Sequence, residues 1–232
     1  MPSNLYGDLH VMTQFDLSRA LTFIVILLVS IDVHELAHAV AADRLGDPTP
    51  RSRGQLSLNP FVHMDQFGLV LLVIMSISGY GFTYGRTHVT PTRLRFGPQR
   101  GNALVAIVGP ISNLVLAGLV SLPLVALLTR TFTQLSSSEL TFLVNFLFDA
   151  MKINVLLFIF NLIPIPPLDG FTILGGFLSA RQMYALAPLQ QWGPLVFLVL
   201  ILGDPQLHIL GNTVFPAVDS IDRVLCSACS GA

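Results

Sequence analysis

Apolar residues in this chain come in long runs rather than in strict alternation. The first run, about Ser18 to Ala42, is long enough to cross a bilayer at about 20 residues per helix, and it stops at Arg44 and Gly46. A polar segment rich in Pro, Arg, Ser and Gly extends to Gln66, and twelve apolar residues follow from Phe67 to Ser78. Twelve is too few to span upright, so this stretch is expected to be re-entrant or tucked. Gly79 to Arg95 mixes glycine, aromatic and β-branched residues in roughly alternating order, which predicts short strands or a β-hairpin. Two more long helices are predicted, about Asn102 to Thr129, interrupted at Gly109-Pro110, and about Glu139 to Leu162.

Pro164, Pro166 and Pro167 then forbid a continuous helix, because each lacks a backbone N–H and pushes the preceding residue out of helical geometry. Irregular backbone at membrane depth is tolerated only where protein or a water-filled cavity covers it, so the break predicts a functional cavity. A half-helix from Leu168 to Leu178 follows, then a last spanning candidate from about Leu186 to Leu202. The expected fold is an all-α polytopic membrane protein with four to six membrane segments, a proline-broken helix and a short β-hairpin. Its divisions are a polar N-terminal segment (1–17), a membrane core (18–203) and a C-terminal interfacial tail (204–232).

Composition sharpens the membrane reading. The chain is 53% hydrophobic and 11% charged, against roughly 25% charged in soluble domains, too little to cover a core of this size with polar surface. A net charge of −1 offers no basic field, so nucleic acid is discounted as a partner. Seven of the twelve cationic residues (Arg44, Arg51, Arg53, Arg86, Arg93, Arg95 and Arg100) lie between the first two long helices. The positive-inside rule puts that connection, and the C-terminal end of the first helix, on the cytoplasmic side of the cell membrane. The first seventeen residues show no signal-peptide pattern. Cys226 and Cys229 form a C-x-x-C that would suit a redox pair or half a zinc site; with no second pair nearby, free tail thiols are expected.

The chemistry concentrates in the first helix. His34-Glu35-Leu36-Ala37-His38 is an H-E-x-x-H, whose spacing puts two imidazoles one turn apart on one face. Both can bind one zinc, while Glu35 reaches a zinc-activated water without being a ligand. With six histidines and two glutamates in 232 positions, chance supplies this pattern roughly 0.001 times. An ionisable residue in a spanning helix also costs on the order of 2.5–3.5 kcal/mol, so it is usually there for function. Catalytic zinc wants a third protein ligand and an open position. Asp169, just past the proline break, is the best candidate; its bland alternative is a helix cap.

These residues, with GQLSLNPFVHMD (Gly54 to Asp65), GPISN (Gly109 to Asn113) and NLIPIPPLDG (Asn161 to Gly170), resemble the site-2 protease family of intramembrane metalloproteases. The four motifs, in order, cover about Ser18 to Gly170. The resemblance implies zinc-dependent hydrolysis of a peptide bond in or next to a transmembrane segment of a membrane-protein substrate, as in regulated intramembrane proteolysis. It implies one zinc per chain held by His34, His38 and Asp169, with Glu35 as general acid/base. It also implies that Asn113 holds substrate or stabilises the oxyanion; the alternative for Asn113 is a helix–helix hydrogen bond. The prolines that compact members often carry in the stretch equivalent to Phe82 to Val89 are missing. No PDZ or CBS module is expected, so selection of substrates would rest on the membrane core, a regulatory membrane partner or a homo-oligomer.

An extended substrate could add to a strand in Gly79 to Val89. His63 and Asp65 are expected to make structural hydrogen bonds rather than a second metal site, Asp32 to bridge to a neighbouring helix, and His10, His88 and His208 to sit at a surface or interface. The rival classes are a metal transporter, which also buries ionisable residues, and an inactive helix-binding scaffold.

Overall fold

A computed structural model describes residues 17–64, 85–129, 136–193, 195 and 209–226. Its elements are α1 (Leu17–Arg44), a short α2 (Thr49–Ser52), α3 (Pro98–Leu128), α4 (Ser137–Asn161), α5 (Asp169–Gly175), α6 (Ala180–Ala185), helical turns at 187–193, and α7 (Ile209–Leu225), with 3-10 turns at Pro60–Val62 and Pro91–Arg93. No strand occurs among the described residues. Among the described residues three helices, α1, α3 and α4, are long and apolar enough to cross a membrane. The chain is therefore an all-α membrane protein. The tucked candidate at 67–78, His10, His208 and most of the candidate span at 186–202 lie outside the described residues.

Local chemistry accounts for the helix ends. α1 stops where Gly46 adopts φ +104, a left-handed conformation that costs a glycine nothing; there the N–H groups of Gly46 and Asp47 turn back to the carbonyls of Asp43 and Ala42. α3 opens with Pro98, whose missing N–H would have had no helical partner. α4 opens with a capping box between Ser136 and Glu139.

Correction is needed inside α3, which runs unbroken through Pro110 and Pro123 where an interruption at Gly109-Pro110 was expected. A proline deletes one helical hydrogen bond, and flanking contacts can carry the helix past it. The hydroxyl of Ser112 donates to the Gly109 carbonyl at 2.7 Å beside that gap. The triple proline acts as expected: α4 ends at Asn161 and the chain is irregular through Leu168.

The spanning helices meet through apolar side chains. Phe23, Ile26, Leu27 and Ile31 of α1 pack on Ala150, Ile153 and Leu157 of α4, while Ala117 and Leu124 of α3 pack with Met151 and Val155 of α4. Val214 and Val218 of α7 join the second group, so the described part of the C-terminal tail is a helix seated on α3 and α4. Cys226, at its end, is fully buried and disulfide-bonded, which corrects the expectation of free thiols; Cys229 lies outside the described residues. The outward faces stay apolar. Leu21, Val25 and Val29 on α1, and Leu104, Ile111, Val115 and Leu119 on α3, are exposed, as lipid-facing walls require.

A buried polar knot ties the three long helices together. The Asn113 amide donates to the Ser30 carbonyl at 3.2 Å and to Asn154 Oδ1 at 3.0 Å. Asn154 in turn donates to Ser30 Oγ at 2.9 Å. Interhelical bonds of this kind fix register where apolar packing alone discriminates poorly, because lipid is as apolar as the helix surfaces.

Candidate metal centre

The H-E-x-x-H spacing does what helical periodicity requires. His34 and His38 stand one turn apart with Nε2 atoms 3.0 Å from each other, both rings buried. Asp169 opens α5 directly after the proline-broken stretch, and its Oδ2 lies 3.0 Å from His34 Nε2 and 3.2 Å from His38 Nε2. Among the described residues, these three form the one group of His, Cys, Asp or Glu side chains able to share a metal ion. Gly170 makes the approach feasible: a Cβ there would sit 2.3 Å from the Leu162 carbonyl oxygen and 2.5 Å from that of Ile163.

The remaining ring nitrogens settle the tautomers. His34 Nδ1 is 2.6 Å from Asn113 Oδ1, and His38 Nδ1 is 2.9 Å from the Val105 carbonyl. A carbonyl oxygen only accepts, so each Nδ1 carries a proton, and in the neutral ring each Nε2 presents a lone pair. Two lone pairs and a carboxylate oxygen then face one another, and Asp169 Oδ2 has no hydrogen-bond donor. Such a cluster calls for a cation at its centre, and two imidazoles with one carboxylate suit zinc and leave a position open. The donor set fits the metal.

Gly109 and Asn113 explain the GPISN stretch. A Cβ on Gly109 would lie 2.4 Å from His38 Nε2 and 2.7 Å from His34 Cε1, so only glycine lets α3 pack against the imidazole pair. One turn later Asn113, fully buried, accepts from His34 and has its amide donors turned to Ser30 and Asn154. The structure thus brings Asn113 to His34, a candidate metal ligand, and into the helix–helix contact weighed as its alternative. Composition held a signal for this knot: Asn154 is a polar residue deep in an apolar helix.

Glu35 sits beside the pair, buried, its Oε2 accepting from the Thr87 hydroxyl at 2.7 Å. Nothing in the sequence marked Thr87. The chain carrying it, 85–90, runs without regular structure, so the predicted hairpin is absent from the described part of its range; 79–84 lie outside the described residues. Its backbone groups are taken by side chains instead: the His88 N–H donates to Gln55 Oε1 and the Thr90 N–H to Asp47 Oδ2. Burial works against the charge on Asp47, yet the bonds donated by Thr49 and Thr90 outweigh it and hold the carboxyl below its usual range. For His88, half-buried here, burial and then the guanidinium groups of Arg53 and Arg86 push the imidazole below its usual range.

His63 is fully buried, with Nε2 3.1 Å from the Ser57 carbonyl and 3.7 Å from Asp32 Oδ1, a structural placement. Asp32 accordingly faces the loop after α1 rather than a neighbouring long helix. Asp65 lies outside the described residues.

Comparison with known proteins agrees with this chemistry. Residues 129–202 match peptidase family M50, a stretch that contains the proline break and Asp169. The chain is 33% identical over 207 residues to the protein named "Putative zinc metalloprotease YwhC" of Bacillus subtilis, covering 89% of this chain and 92% of that one. It is 35% identical over 184 residues to "Putative zinc metalloprotease Rip2" of Mycolicibacterium smegmatis, covering 78% of this chain and 66% of that one. A protein of the same name from Mycobacterium tuberculosis is 34% identical over the same shares. No solved structure matches the chain. A zinc-suited site in a chain with helices able to cross a membrane, with a relative aligned over nearly its whole length, places this chain in peptidase family M50, the site-2 protease family of zinc metalloproteases.

Proposed function

We propose that this protein hydrolyses peptide bonds in or next to the transmembrane segments of other membrane proteins, as in regulated intramembrane proteolysis. The observation that carries the reading is the convergence of His34 Nε2, His38 Nε2 and Asp169 Oδ2 beside a buried, non-converging Glu35, the histidines and Glu35 standing on a helix able to cross a membrane. His34, His38 and Asp169 hold one zinc. Zinc, when bound, supplies Lewis acidity toward the peptide carbonyl and makes water acidic enough to attack at neutral pH. Glu35 takes the proton of the attacking water and delivers it to the leaving amine. A transporter would need the ligands but not this extra carboxylate.

Asn113 acts on the ligand set. By accepting from Nδ1 it fixes the His34 tautomer and ring plane, and loss of such an outer partner costs typically 10–100-fold in metal affinity or activity. Asn113→Leu is therefore expected to lower zinc affinity by about that factor, read by competition with a chelating dye. Unchanged affinity with a lower kcat would return Asn113 to the oxyanion.

The arginines between α1 and α3 put the catalytic end of α1 toward the cytoplasm in a multi-pass arrangement. The substrate is a helix that must open locally, since its scissile amide is otherwise hydrogen-bonded within the helix. The direct test incubates purified protein in bilayers with a panel of single-pass membrane peptides. Cleavage that a chelator stops and zinc restores is the expected result. Zinc movement across the bilayer with no cleavage would favour transport.

A further inference from the structure

We propose that Thr87 is a positioning residue that holds the Glu35 carboxylate in its working orientation; this deepens the protease reading above and rests on it. The single Thr87 O–H proton is shared between two acceptors, both on Glu35: Oε2 at 2.7 Å and the backbone carbonyl at 2.9 Å. A contact to a residue's side chain and to its own backbone fixes that side chain relative to its helix. On the other side, Gly85 closes in. A Cβ there would lie 2.7 Å from Glu35 Cγ, 2.8 Å from Oε1 and 2.8 Å from Ile31 Cγ2. The carboxylate is thus pinned at one oxygen and walled at the other by two residues of one segment.

That segment is itself held from behind. Gln55, fully buried, donates its amide to the carbonyls of Arg86 at 2.9 Å and Val62 at 3.2 Å, and accepts from the His88 N–H at 2.9 Å. The Arg86 N–H donates to the His63 carbonyl at 2.8 Å, and the Thr90 N–H to Asp47. Anchors at 86, 88 and 90 point to the loop after α1, while 87 points to α1, the alternation of an extended chain. One side-chain amide grips the backbone on both sides of Thr87, so the hydroxyl is delivered to Glu35 by a preorganised frame rather than by a free loop.

The test uses the glutamate count. Glu35 and Glu139 are the only two in the chain, so Glu139→Gln protein made by cell-free synthesis with 13C-labelled glutamate, its metabolic conversion inhibited, carries its label at Glu35 alone. The infrared carboxylate band of that protein, with zinc bound, should shift in Thr87→Val, which keeps the branched shape and loses the hydroxyl, and return in Thr87→Ser. In parallel, Thr87→Val should lower kcat on a membrane peptide by about 10- to 100-fold with KM and bound zinc unchanged, and Thr87→Ser should stay within about 3-fold of the parent. An unshifted band, or a kcat loss that follows zinc loss or is not rescued by serine, overturns the proposal. Parent protein that keeps its zinc and cleaves nothing overturns instead the protease reading beneath it, and the band then still decides whether Thr87 holds the carboxylate.

Discussion

Replacing Glu35 with glutamine should leave zinc in place and bring peptide cleavage down by at least about 100-fold, since a positioned general acid/base contributes typically 10²–10⁴. The substitution is nearly isosteric, and the glutamine oxygen can still accept from Thr87, so the segment at 85–90 keeps its anchor. Glu35 is outside the converging group of His34, His38 and Asp169, so metal retention is the expected companion of inactivity. Elemental analysis of the purified variant and single-turnover cleavage of a membrane peptide check both halves. Activity within about tenfold of wild type would remove Glu35 from the reaction, and loss of zinc would make it a ligand.

Asp169→Asn should fail at the step before. In the proposed ligand set Asp169 would supply the one negative charge beside two neutral imidazoles around a dication, and it is the acceptor left without a donor. An asparagine amide placed there can donate to the His34 and His38 Nε2 lone pairs, which satisfies the metal-free site and removes its demand for a cation. Zinc at about 1,000 times its Kd stabilises a protein by about 4 kcal/mol, so wild-type protein should melt at a distinctly higher temperature with zinc than with chelator. The variant should melt at the same temperature in both and should cleave nothing. A zinc-dependent shift of wild-type size in Asp169→Asn would take Asp169 out of the ligand set and leave it the helix-opening residue weighed as its alternative.

The two variants separate binding from chemistry. Glu35→Gln should keep the metal and lose turnover; Asp169→Asn should lose both. Asn113→Leu falls between them, because it weakens the hold on one imidazole without removing a donor from the centre.

What could be read without coordinates was whatever depends on neighbours in the chain. Helical periodicity alone puts His34 and His38 on one face. Proline stereochemistry alone ends α4 and leaves Asp169 at the start of a new helix. A deficit of charge alone requires lipid around the long helices. The misreadings came where a local rule met a tertiary answer. Pro110 was expected to break α3, but the helix runs through it, as helices in a membrane setting tolerate a single proline. Alternation in 85–90 looked like a strand; the partners of its backbone proved to be the side chains of Gln55 and Asp47 rather than a second strand.

Only the packing decided how the donors are oriented. His34 meets Asn113 across 79 residues, Glu35 meets Thr87 across 52, and Asn154 meets Ser30 across 124. No propensity or period encodes such pairs, because each exists only once helices from distant parts of the chain lie side by side. Gly109 and Gly85 show the same limit: a missing Cβ is silent in sequence, and its purpose appears only when an imidazole pair or a glutamate occupies the space it leaves. The sequence by itself determined which residues are candidates for the chemistry, because that choice follows from local spacing and residue type. The tertiary structure decided which way those atoms point, because orientation is set by contacts between elements that the chain brings together only on folding.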